Sequence, residues 1–93
     1  MVDEMVRTSH PLGKQNKPVR KAEYELFTAA ILAVLREREL THTELVAAVT
    51  KRLDGSYDGN ISWHVMTVKL DLEAKHVIGR ADGRPQRYRV AQA

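Results

Sequence analysis

The spacing of apolar residues changes period once along this chain, and that change limits the architecture more than any other feature. Up to Leu72, apolar residues recur every three or four positions in three separate stretches, the repeat of an α-helix. Beyond Val77 the repeat shortens to two, with Tyr88 and Val90 alternating against Arg87 and Arg89, as in a strand with one face buried. Three helices followed by a two-stranded β-hairpin are therefore expected, an α+β domain.

Local signals mark the ends of these elements. Pro18 fits a first helical position, where its missing N–H costs nothing, and Phe27, Ala30, Ile31, Val34 and Leu35 form one apolar stripe on helix 1. Leu40 to Thr43 reads as a brief connector. Thr41 and Glu44 have capping-box spacing for helix 2, whose inward face is Leu45, Val46, Val49 and Leu53. The run from Asp54 to Gly59 carries two glycines and several side-chain acceptors suited to turns, and Asn60 can cap helix 3. Helix 3 is expected to reach about His76, with Ile61, Val65, Val68 and Leu72 on its core face. Trp63, Met66, Leu70, Ala74 and Val77 form a second apolar stripe that predicts cover from another direction. His64, Thr67, Asp71 and Lys75 then make up its polar sector. The turn-rich segment from Ala81 to Pro85 closes the hairpin.

Residues 1–16 mix charged, polar and turn-forming types without periodicity and read as a flexible N-terminal arm, leaving residues 17–93 as one domain. With 43% apolar residues and five aromatics, the core must consist mostly of Leu, Ile, Val and Ala. The chain has no cysteine, which excludes disulfides, thiolate catalysis and thiolate zinc sites. Its longest apolar stretch, from Phe27 to Leu35, is too short to span a bilayer, and the N-terminus has no apolar leader; a cytoplasmic protein without membrane contact is expected.

Charge is unevenly spread. From Lys75 onward five basic residues face one acid, whereas Glu23 to Asp54 holds four basic residues against six acidic ones. A cationic C-terminal ribbon suits a polyanion, because basic side chains displace the counterions condensed along phosphates.

The segment Val68 to Arg80, above all Leu72-Glu-Ala-Lys-His-Val-Ile-Gly-Arg, resembles the end of the recognition helix and first wing strand of bacterial winged-helix regulators. The resemblance runs over about residues 19–91. Ile61-Ser-Trp-His-Val-Met-Thr-Val-Lys-Leu-Asp-Leu-Glu-Ala and the later Arg84-Pro-Gln-Arg resemble a family of small uncharacterised winged helix-turn-helix proteins. In such regulators a glycine often stands where this chain has His76. The resemblance implies a winged helix-turn-helix fold, with the hairpin as its wing, and binding of double-stranded DNA, as in transcription regulation.

On that reading Ser62, His64 and Thr67 lie in the first turns of helix 3, where recognition helices meet base edges, and Lys69 and Lys75 meet phosphate. Arg80, Arg84, Arg87 and Arg89 belong to the wing, with Arg84 at its tip placed for a minor groove. Arg7, Lys14, Lys17, Arg20 and Lys21 give the arm a second cationic segment. Asp71 and Glu73 would repel phosphate, so contact should use the beginning of helix 3. A homodimer is the candidate assembly, since twofold symmetry doubles the bases read.

The alternative is a winged-helix module that docks a partner or dimerises through Trp63, Met66 and Leu70 without binding DNA. Asp54 to Ile61 also matches the first positions of a calcium loop, but the twelfth position is Val65, where a carboxylate should close the coordination sphere. No catalytic triad, paired carboxylates or phosphate-cradling glycine loop is present, so no enzyme, metal, cofactor or small-molecule ligand is expected.

Overall fold

A computed structural model describes residues 4–8, 18–81 and 83–91. Its elements are β1 (Met5–Val6), β2 (Val19–Arg20), α1 (Lys21–Glu37), β3 (Leu40–Thr41), α2 (His42–Leu53), α3 (Ile61–Ala74), β4 (Ile78–Ala81) and β5 (Arg87–Val90). The fold is α+β, with three helices packed on one another and on a three-stranded antiparallel sheet of order β3-β5-β4.

Three strands appear where none was expected. Leu40 and Thr41, placed in a connector by the sequence, pair with Tyr88 and Arg87 and add a third strand to the hairpin. Met5 and Val6, within the segment assigned to the arm, pair with Arg20 and Val19, and the Thr8 side chain beyond them is buried. The start of α1 moves accordingly. Val19 and Arg20 are extended, Pro18 precedes the strand, and the Lys21 N–H donates to the Glu4 carbonyl at 2.7 Å, so a strand supplies an acceptor to a helix end without a side-chain cap. The rest of the arm, residues 1–3 and 9–17, lies outside the described residues, Lys14 and Lys17 included.

The other helix ends follow their sequence signals. Thr41 Oγ1 accepts from the Glu44 N–H at 3.2 Å while the Glu44 carboxylate accepts from the Thr41 N–H at 2.9 Å, a complete capping box. Asn60 Oδ1 accepts from the Trp63 N–H at 2.9 Å. α3 ends at Ala74, not at His76, because His76 takes a left-handed backbone (φ 59°) and the Val77 N–H returns to the Leu72 carbonyl. That αL exit is where glycine is usually favoured.

Phe27, Ile31, Leu35, Leu45, Val49, Val65, Val68 and Leu72 fill the space between the helices, and Leu40, Ile78 and Tyr88 close it from the sheet. Each such side chain, fully buried, contributes about 1.5–3 kcal/mol of apolar transfer free energy. The turn between α2 and α3 adds Tyr57, whose ring meets the edge of Phe27 at a centroid distance of 5.1 Å. Gly59 permits that approach: a Cβ there would lie 2.4 Å from the Tyr57 hydroxyl. Among the described residues no helix is long and apolar enough to cross a membrane.

Candidate nucleic-acid interface

α3 is covered on three sides, and the cover falls on its polar sector. Toward α1, His64 is wedged against Phe27 with stacked rings 5.0 Å apart, and both its nitrogens face acceptors: Nδ1 lies 2.8 Å from the Asn60 carbonyl and Nε2 2.6 Å from Glu23 Oε2. The Tyr57 hydroxyl donates to the same Glu23 oxygen at 2.7 Å; burial and that carboxylate push its pKa up to about 12. Thr67 is buried. Asp71, fully buried, accepts from the Tyr24 hydroxyl and, at 2.8 Å, from Lys75 Nζ. Burial and the Asp71 hydrogen bond raise the Tyr24 pKa, and the hydrogen bond to Asp71 raises that of Lys75.

Toward the sheet, Lys69 is 5% exposed and its ammonium sits 4.0 Å from the centroid of the Tyr88 ring. Nζ donates to His42 Nδ1 at 3.1 Å, and burial together with that cation lowers the His42 pKa. One turn further on, Glu73 Oε2 accepts from Arg80 Nε at 2.7 Å, which raises the guanidinium's pKa, and Arg80 also donates to Gln86. The register that pairs Arg80 with Tyr88 puts Arg80 on the inner face of the sheet.

The assignment of base-reading residues to the start of α3 therefore changes. Of Ser62, His64 and Thr67, only Ser62 is exposed, while His64 is turned inward against Glu23, Tyr57 and Phe27 and Thr67 is buried. Lys69 is buried, and Lys75 and Arg80 are engaged in ion pairs. The stripe expected to be covered is the one left facing outward. Met66 is 42% exposed, with Trp63, Leu70 and Ala74 half-buried around it.

The β4–β5 hairpin keeps its cations. Arg84, Arg87 and Arg89 are exposed, and no ion pair or hydrogen bond holds their side chains among the described residues. Arg87 and Arg89 share the outer face of β5, opposite Ala81 and Gly79 of β4, neighbours too short to screen them. Arg84 stands beside Pro85 in the exposed connection between the strands. Asp82, the one acid of this ribbon, lies outside the described residues.

Between the β4–β5 hairpin and the start of α2 runs an open cleft of about 590 Å³, walled by His42, Thr43, Glu44, Gln86, Arg87 and Tyr88. The Thr41 hydrogen bonds of the capping box, with Arg87 nearby, hold the Glu44 carboxyl below its ordinary pKa. Sequence reasoning missed His42 altogether. Its one signal was its place as the first residue after the Thr41 cap, where helix N–H groups lack partners. Among the described residues no group of three or more potential ligands could hold a metal ion, the Asp54–Gly59 turn included.

Residues 5–88 match the model of a family of unknown function, DUF6958. No curated protein and no solved structure matches the chain.

Proposed function

Since this chain belongs to DUF6958, a family of unknown function, we propose its role from the interface itself: a winged helix-turn-helix domain that binds double-stranded DNA mainly through backbone phosphates. The observation that carries this reading is the set of three exposed arginines without partners among the described residues, Arg84, Arg87 and Arg89, on one protruding hairpin. Exposed guanidinium groups held by no ion pair or hydrogen bond among the described residues favour a polyanion, with Glu44 near Arg87 as the one carboxylate whose charge reaches them there. From α1 onward the element order α-β-α-α-β-β, with the sheet order β3-β5-β4, supports the winged-helix assignment.

The inward turn of His64 and Thr67 narrows the mode of binding. With Ser62 the exposed polar residue at the start of α3, few donors remain to discriminate base edges, so affinity comes from phosphates and sequence preference is weak. Such a domain needs no cofactor, performs no catalysis and works in the cytoplasm; a regulator built on it would gain specificity by dimerising. The test is fluorescence anisotropy with two duplexes of unrelated sequence over a series of salt concentrations. Affinities within about tenfold of each other and falling steeply with salt are expected; no binding at the lowest salt would remove the reading.

One observation favours a second reading. An outward stripe of Met66, Trp63 and Leu70 on the helix that should enter a groove suits docking against another protein surface. A Met66→Ser substitution that abolishes self-association in sedimentation, while duplex binding is absent in the parent, would make this the primary role.

A further inference from the structure

Among the described residues Lys69 is a buried charge with no opposite charge beside it. Its side chain is 5% exposed, its nitrogen touches a neutral imidazole and an aromatic face, and no carboxylate pairs with it among the described residues. The two buried carboxylates on the same helix each have a cation beside them: Asp71 has Lys75 and Glu73 has Arg80. Removing an ammonium from water without an anion is costly, and an aromatic face returns only part of that cost.

Both groups that contact this nitrogen, His42 and Tyr88, also line the cleft between α2 and the wing. Lys69 thus stands one layer behind the cleft wall. Because Nζ donates to His42 Nδ1, the ring's remaining proton is on Nε2, which makes the imidazole a donor on a residue lining the cleft. Arg87 lies on the same wall, and His42 and Thr43 are the first two residues of α2, whose N–H groups have no acceptor within the helix. Glu44 opposes an anion here, but its carboxylate is already half of the capping box.

We propose that this cleft is a phosphate-binding site, in which His42, Thr43 and Arg87 contact the phosphate oxygens and the Lys69 ammonium behind them supplies the balancing charge. For its source, a backbone phosphodiester, the site rests on the DNA reading above; its chemistry would equally accept the phosphate of a small molecule, and the experiment separates the two.

The probe is inorganic phosphate, titrated into ¹⁵N-labelled full-length protein against chloride at matched ionic strength. Saturable shifts confined to residues 42–44 and 86–88 are expected. Lys69→Met should weaken phosphate at least tenfold. Glu44→Gln, which preserves the capping box and removes the opposing charge, should strengthen it several-fold. Should Lys69→Met fail to fold, Arg87→Gln on the exposed strand replaces it, with at least a threefold loss expected. Shifts no larger than with chloride, or an affinity indifferent to these changes, would overturn the site. In a second arm, short duplex DNA that displaces phosphate makes the backbone its source. A duplex that binds without disturbing residues 42–44, while phosphate still does, supports a site for a free phosphate compound. Phosphate binding without any duplex binding keeps the site and removes the DNA reading.

Discussion

The two flanks of α3 bury polar side chains on different terms. Toward α1 the polar side chains have polar partners beside them, Asp71 with Tyr24 and Lys75, and His64 with Glu23 and the Asn60 carbonyl. Toward the sheet Glu73 is paired with Arg80, but Lys69 has only His42 and the Tyr88 ring among the described residues. A closed network fixes how two helices meet and has no charge to spare. An open one leaves a cation whose partner must come from elsewhere, and it lies beside the arginine-bearing wing. The contrast favours the sheet side of α3 for the proposed interface, away from the polar sector that sequence spacing alone singled out.

The largest effect expected from breaking this contrast is on the closed side. Asp71→Asn removes the negative charge and one acceptor oxygen from a fully buried side chain shared by a tyrosine and a lysine, and should cost about 2 kcal/mol in urea unfolding, within the range for hydrogen bonds to charged groups. On the open side, Lys69→Met replaces a buried cation that lacks an anion with a side chain of similar length. The change in stability should stay under about 1 kcal/mol, because losing the ring contact is offset by losing the desolvation penalty. Equal losses from the two substitutions would erase the distinction.

The smallest effect should be the pH dependence of the open side. Burial, and secondarily Lys69, lowers the His42 pKa in the folded state from its ordinary 6.5. The unfolded chain therefore binds its proton first, so the stability contributed by neutral His42 is present above pH 6.5 and declines as pH falls below it. The stability difference between the parent and His42→Gln should thus shrink from pH 7.5 to pH 5.5, a window set by that ordinary value. A gap that widens on acidification would mean that the imidazole is charged in the fold.

Much of the architecture was legible because its signals are local. Thr41 with Glu44, Asn60 before α3, the Ile61/Val65/Val68/Leu72 face and the alternation around Tyr88 each depend on residues within a turn or two of one another. The β1–β2 pair was not, since Met5 and Arg20 are joined across a segment with no hydrophobic period of its own. The site was less legible than the fold. Helical spacing shows which side chains of α3 share a face, but it does not show which face a neighbouring helix will cover. That choice was made by Glu23 and Tyr24 on α1, polar partners for His64 and Asp71 far away in sequence, together with Tyr57 in the nearby turn. An α3 apolar on more than one side was the available warning, because such helices are covered from several directions. It left open which stripe, Met66's or Thr67's, would be the one exposed.

The most direct test is the salt dependence of duplex binding by the parent and by an Arg84→Gln, Arg87→Gln, Arg89→Gln triple variant, whose fold should be unaffected because all three side chains are exposed. Each phosphate neutralised adds about 0.9 to the slope of log affinity against log salt. If the wing arginines are the phosphate contacts, the triple variant binds weakly and its slope is shallower by about 3. Parallel slopes for the two proteins would contradict the account.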